Sequence, residues 1–139
     1  MNNIVIGKHT LESLTSGMYS DPYVVYREYI QNATDSIDDA FHQGLLNPGE
    51  DSINIDINPS DRRISIFDNG CGVPSNLAVK TLISIGNSRK DSSSSRGFRG
   101  IGRLSALSYC SKLTFETSYL SEKQGTRIVI DSKQLSELL

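Results

Sequence analysis

Cysteine and histidine are scarce in this chain. Its 139 residues include two cysteines, Cys71 and Cys110, and two histidines, His9 and His42. The cysteines form no CxxC pair and indicate no disulfide framework, and the histidines have no Cys or His companions at the spacing of metal ligands. The sequence therefore points neither to a disulfide-stapled secreted domain nor to a zinc site.

An excess of charge is also lacking, as is any long apolar run. Lys and Arg number 14 against 16 Asp and Glu, for a formal net charge of -2. This balance gives no global attraction to nucleic acid or to a membrane, and no segment is typical of a signal peptide or a membrane helix. With 37% hydrophobic and 22% charged residues, we expect one globular domain with its own core, located in the reducing cytoplasm, without nucleic-acid or membrane partners.

Helical and strand-like patterns segregate along the chain. They predict, in order, a strand or arm at Asn2–Ile6, a helix at Thr10–Tyr19, a long helix from Pro22 to about Gln43, a hairpin of Ser52–Ile57 with Arg63–Phe67, a helix from Ser75 to about Ser84, a helix from about Ile101 to Cys110, a hairpin of Lys112–Leu120 with Gly125–Ile130, and a helix from Asp131. This order favours an α+β fold, a two-layer α/β sandwich with helices on one face of a mixed, mostly antiparallel sheet. The last helix stops without a C-cap, so we expect residues 1–139 to be the N-terminal part of a longer protein.

Three polar residues follow one another along the long helix. Glu28, Asn32 and Asp35 stand at i, i+4 and i+7, and a rotation of about 100° per residue places them on one face. Carboxylate and carboxamide oxygens in line could hold a hard cation and orient a water molecule. A solvated helix face is the alternative interpretation.

The stretch "ISIFDNGCGV" ends a predicted strand at Asp68 and continues with Gly70 and Gly72. An ordinary Asp-Asn-Gly turn would explain the first glycine but not the second. A carboxylate at a strand end, beside glycines that let a ligand approach closely, could accept a hydrogen bond from an amine such as the exocyclic group of adenine.

The stretch "RGFRGIGRLSA" places three glycines directly before a helical pattern. Its GxxGxG spacing is neither that of a P-loop nor that of a Rossmann dinucleotide site. The surrounding basic residues are Arg89, Lys90, Arg96, Arg99 and Arg103. A positive, glycine-rich segment that opens a helix fits a polyphosphate, with a flexible solvated loop and a nucleic-acid backbone patch as alternatives.

Taken in order, "REYIQNATDSID", "DNGCGV", "RGFRGIGRLSAL" and "GTRIVI" resemble the N box, the two glycine boxes and the late Gly-Thr strand of the GHKL ATPases. This superfamily comprises gyrase, heat-shock chaperone, histidine kinase and MutL proteins. The opening of the chain looks most like the N-terminal domain of the ninety-kilodalton heat-shock chaperones, whereas "GFRG" looks more like MutL. Histidine kinases usually carry Lys where Asp35 stands, which argues against a phosphotransferase.

The resemblance implies ATP or ADP as the ligand, with Mg²⁺. Glu28 would be the general base that activates the attacking water, and Asn32 would hold the metal ion. Asp68 would receive the adenine amine, supported by Thr126 through a water. The other residues that the resemblance and the motifs assign to the nucleotide are Asp35, Gly70, Gly72, Val73, Lys90, Gly97, Arg99, Gly100, Ile101, Gly102 and Arg103.

Within that set, the second glycine box would give backbone donors to the phosphates, and Lys90, in the lid, would reach a phosphate. The implied function is a nucleotide-switched ATPase of a chaperone-like protein, working through lid closure and a homodimer formed by the N-terminal arm. Hydrolysing members draw a further basic residue from a second domain, so we expect weak or absent turnover by these 139 residues. The alternatives are a DNA-processing ATPase of the mismatch-repair type and an interaction module that binds the nucleotide without hydrolysing it.

Overall fold

The computed structural model describes residues 21–83 and 102–133. Its elements are α1 (Pro22–His42), β1 (Ile53–Asn58), β2 (Arg63–Asp68), α2 (Ser75–Ile83), a 3₁₀ helix (Gly102–Ser108), β3 (Lys112–Thr117) and β4 (Thr126–Asp131). Helices combine with antiparallel strands, which confirms the predicted α+β class. The predictions for the N-terminal arm, the first helix, the segment 84–101 and most of the last helix lie outside the described residues.

Both ends of α1 carry strong local signals. Asp21 caps the start, because its Oδ1 accepts a hydrogen bond of 2.9 Å from the Tyr23 N–H, and Pro22 occupies the first helical position, where no N–H is needed. At the other end Gly44 has φ of +70°, and Leu45 N–H donates to Ala40 O at 2.9 Å. This is the Schellman arrangement that glycine favours after a helix. The sequence prediction of this helix is confirmed to within one residue.

The described chain divides into two compact units. One comprises the described parts of Met1–Glu28 and Val73–Leu139, and the other is Tyr29–Gly72. Within Tyr29–Gly72, β1 and β2 form an antiparallel hairpin whose register pairs Ile55 with Ile66. Its turn is fixed by Asn58, whose Oδ1 accepts from the Asp61 N–H at 3.0 Å.

In the other unit, β3 and β4 form the second antiparallel hairpin, with Thr117 opposite Thr126 at its end. A hydrophobic core of Ile83, Leu104 and Ile130 joins α2, the 3₁₀ helix and β4. The partly buried hydrophobic residues around it are Val79, Leu82, Leu107, Leu113, Phe115 and Ile128.

The segment after Ile101 is helical, as predicted, but it is a 3₁₀ helix rather than an α-helix. In a 3₁₀ helix, residues three apart lie on the same side. Leu104, which is 1% exposed, belongs to the core of this unit, and Leu107, three residues later, packs against it.

Among the described helices, none has the length and apolarity that crossing a membrane would require.

Candidate adenine-nucleotide site

The polar stripe predicted on the long helix lies on α1. Glu28 and Asn32 are half-buried, whereas Asp35 is exposed. Asp35 Oδ1 accepts a hydrogen bond of 2.9 Å from Gln31 Nε2, one turn earlier. The stripe therefore presents two half-buried groups and one exposed carboxylate that is engaged by its own helix.

Asp68 is the last residue of β2 and its side chain is exposed. Its Oδ1 accepts a hydrogen bond of 3.0 Å from the Gly70 N–H, which closes a local turn. An ionised carboxylate has about four lone-pair sites on its two oxygens, so this single bond leaves it able to accept another. The turn thus fixes the orientation of the carboxylate without using up its capacity.

Asn69 is a residue that sequence reasoning treated only as part of a turn. Its Oδ1 accepts from the Ser52 N–H at 2.8 Å, and its Nδ2 donates to Glu50 O at 2.8 Å. The side chain thereby ties the loop after β2 to the segment that enters β1. This clamp joins residues 17 and 19 positions apart in the chain and fixes the backbone directly after Asp68, which is paired with Ile53 in the β1–β2 ladder.

The loop after Asp68 packs directly on α1, inside the Tyr29–Gly72 unit. The Cys71 N–H donates to Ser36 O at 3.1 Å. A Cβ built on Gly70 would lie 2.6 Å from Ser36 O and closer still to the carbonyl carbon and Oγ of the same residue. Only glycine allows this approach, and Gly72 has φ of +67°, a left-handed conformation that also favours glycine. The DxGxG spacing therefore has two separate structural reasons.

Cys71 lies within this contact. Burial raises the pKa of its thiol, and the charge of Asp39 on α1 adds to the rise. A thiol with a raised pKa is a poor nucleophile at neutral pH. Cys71 is thus a partly buried thiol of low reactivity at neutral pH.

Val73 and Thr126, both predicted to lie at the nucleotide, are linked through Thr117. The Val73 N–H donates to Thr117 Oγ1 at 2.8 Å, and Thr117 is directly opposite Thr126 in the β3–β4 ladder. Thr117 was missed by sequence reasoning because nothing in its local pattern distinguishes it from other strand threonines.

The glycine segment is described only at its end. Gly102 begins the 3₁₀ helix, and Arg103, the next residue, is half-buried. The other predicted phosphate-contacting residues, Lys90, Gly97, Arg99, Gly100 and Ile101, lie outside the described residues.

The described residues limit how the predicted Mg²⁺ could be bound. Across residues 21–83 and 102–133, no cluster of three or more His, Cys, Asp and Glu side chains could hold a metal. Mg²⁺ at nucleotide sites usually takes one or two protein oxygens and completes its coordination with phosphates and waters. A single half-buried Asn32 carboxamide fits that mode of binding, whereas it would not fit a metal held by protein ligands alone.

Comparison with known proteins places the chain in a family. Residues 19–137 match the model of the family described as histidine kinase-, DNA gyrase B-, and HSP90-like ATPase. The chain belongs to this family. It is a GHKL-type ATPase domain, and the resemblance seen in the order of its motifs is confirmed.

Chaperone proteins named HtpG are among the relatives of this GHKL domain. The HtpG of Halalkalibacterium halodurans is 28% identical over 134 residues, covering 85% of this chain and 21% of the relative. That of Cupriavidus metallidurans is 28% identical over 129 residues, covering 79% and 20%, and that of Escherichia coli is 27% identical over 143 residues, covering 90% and 23%. The chain thus spans about a fifth of the length of these relatives.

The contact of Gly70 with Ser36 can be tested by substitution. We expect Gly70→Ala to lower the free energy of unfolding by about 2–3 kcal/mol, because the added Cβ must displace the backbone of α1. Gly44→Ala is the matched control, since Gly44 has no atom within 4 Å of an added Cβ and carries only its left-handed φ. It should cost about 1 kcal/mol. Urea unfolding measures both values, and an equal loss in the two variants would contradict the tight contact.

Proposed function

We propose that residues 1–139 form a domain that binds ATP with Mg²⁺ and, in the full-length protein, hydrolyses it to switch the conformation of a chaperone-like ATPase. The observation that carries the proposal is the contact between α1 and the loop after Asp68, through Ser36, Gly70 and Cys71. It joins the helix of Asn32 to the strand end of Asp68 in one compact unit. Membership of the ATPase family supports the same assignment.

Asp68 would recognise adenine. Its carboxylate is oriented by the Gly70 N–H and retains acceptor capacity for the exocyclic amine. Gly70 and Gly72 would form the floor beneath the base, beside Val73. Thr126 would support the amine contact through a water. A base without the amine would leave the carboxylate without its donor, which gives selectivity for adenine.

Asn32 would hold Mg²⁺ through its carboxamide oxygen. Bound there, the ion would neutralise charge that develops on the phosphates during transfer. The backbone N–H groups of the second glycine box would bind phosphate oxygens, with the neighbouring basic side chains adding positive charge. The residues proposed for this part of the nucleotide are Lys90, Gly97, Arg99, Gly100, Ile101, Gly102 and Arg103.

Glu28 would act as the general base on the attacking water. It lies one helical turn before Asn32 on α1 and is half-buried, so base and metal ligand are carried by one helix. Asp35 continues the same face and would contribute negative charge near the metal, although Gln31 already engages it.

A chaperone-like role is the proposal for the full-length protein because three of its relatives are named chaperone proteins. We propose a homodimer through the N-terminal arm as the form in which the switch operates. The chain's near-neutral charge gives no general attraction to nucleic acid, which weighs against the DNA-processing alternative.

Calorimetric titration of ADP with Mg²⁺ tests the adenine pocket. We expect Asp68→Asn to weaken ADP binding by at least about a hundredfold, because asparagine has a single acceptor oxygen: with that oxygen bonded to the Gly70 N–H, its amide NH2 would face the adenine amine. Asp56→Asn is the matched control: it removes the same charge from an exposed position of β1 and should leave affinity unchanged. Equal ADP affinity of the wild type and Asp68→Asn would contradict the proposed role of Asp68 in binding adenine.

Release of inorganic phosphate tests the base. In the full-length protein, Glu28→Gln should lower turnover by about a hundredfold or more while ADP affinity stays within about threefold, since a general base acts only in the chemical step. Asp38→Asn removes one exposed negative charge from the same helix and should leave turnover unchanged. Turnover that persists in Glu28→Gln would assign the base elsewhere.

A further inference from the structure

Two side chains of the β3–β4 hairpin hold the segment that joins the loop after Asp68 to α2. Thr117 Oγ1 accepts from the Val73 N–H at 2.8 Å. Glu122 accepts from Ser75 twice: its Oε1 lies 3.0 Å from the Ser75 N and 2.9 Å from Ser75 Oγ. The segment from Val73 to Ser75 is therefore fastened at both ends to the same hairpin, across 44 and 47 positions of sequence.

Glu122 caps α2 from outside the helix. Ser75 is the first residue of α2, so its N–H is one of those with no partner inside the helix. A carboxylate at this end also meets the positive end of the helix dipole. The turn between β3 and β4 presents it: Ser121 has φ of +71°, and the Glu122 N–H donates to Tyr119 O at 3.1 Å.

The same hairpin carries Thr126. Thr117 ends β3 and faces Thr126, which begins β4. Thr126 also lines an open cavity of about 530 Å³ with Ser75 and Glu122. One hairpin thus sets the relative positions of Val73, Thr126 and the start of α2. The atoms that fix them are Thr117 Oγ1 and the Glu122 carboxylate.

We infer that Thr117 and Glu122 are positioning residues for nucleotide binding: they set the place of Val73 and of the N-terminus of α2 relative to Thr126. This inference rests on the proposed function, because Val73 and Thr126 matter to a ligand only if adenine binds beside them. Neither residue touches the nucleotide in this account. Each acts through a backbone N–H that its oxygen holds.

The experiment compares ADP affinity among folded variants. We expect Glu122→Ala to weaken ADP binding roughly five- to twentyfold, since only part of the free energy lost with the cap of α2 is coupled to nucleotide binding. Glu122→Gln keeps an oxygen that accepts from Ser75 and should bind within about threefold of wild type. Glu116→Ala is the control on the same hairpin: Glu116 is exposed and paired across the strands with Arg127, at 3.1 Å, so affinity should not change.

A second pair of variants covers the case in which Glu122→Ala does not fold. Thr117→Val keeps the shape of the side chain but removes the acceptor for Val73, and it should weaken ADP binding to a similar extent. Thr117→Ser keeps the hydroxyl and should keep the affinity of the wild type. Normal binding by the conservative variants Glu122→Gln and Thr117→Ser would separate a positioning role from a general loss of stability. Thermal melting followed by circular dichroism measures the stability of each variant in parallel.

The outcomes distinguish the two claims. Wild-type ADP affinity in folded Glu122→Ala and Thr117→Val would overturn the inference and leave the proposed function intact. Binding that is weakened equally in the conservative variants would also overturn it. No ADP binding by the wild-type chain would overturn the proposed function, and the inference with it.

Discussion

The contact of Gly70 and Cys71 with the backbone of Ser36 is the constraint on which the candidate site depends. Backbone groups that approach this closely need a residue without a Cβ on one side and a satisfied hydrogen bond between them, and Gly70 and the Cys71 N–H supply these. Ser36 lies one turn after Asn32 on α1, and Gly70 lies two residues after Asp68. The contact therefore sets the distance between the helix that carries the proposed metal ligand and the strand end that carries the proposed adenine acceptor.

Side-chain clamps hold the neighbouring segments within each unit. Asn69 ties the loop to the entry of β1 in one unit, while Thr117 and Glu122 fasten Val73 and Ser75 to the β3–β4 hairpin in the other. All of these bonds engage backbone groups, so they fix the course of the chain rather than only the rotamer of a neighbour. A loop held in this way would have little conformational entropy left to lose on binding the proposed nucleotide, which would favour affinity.

The elements could be predicted from the sequence because their signals are local. Asp21, Pro22 and Gly44 define the ends of α1, and alternation of apolar residues defines both hairpins. The motif residues were named from helix and turn spacing together with the resemblance to the GHKL ATPases, and their roles stay predictions. The sequence did not reveal the roles of Ser36, Asn69, Thr117 and Glu122, because each acts through a partner that only the fold brings near. The sequence pattern predicted a helix after Ile101 but did not distinguish the 3₁₀ form that the structure shows.

The proposed recognition of the exocyclic amine of adenine by the Asp68 carboxylate is tested most directly by changing the ligand. Inosine diphosphate carries a carbonyl oxygen in place of that amine and a proton on the neighbouring ring nitrogen, so at the position of the amine it presents an acceptor where Asp68 needs a donor. Titrated into the same protein with Mg²⁺, inosine diphosphate should bind at least about a hundredfold more weakly than ADP. Equal affinities for the two nucleotides would contradict the account, because they would mean that the amine is not recognised.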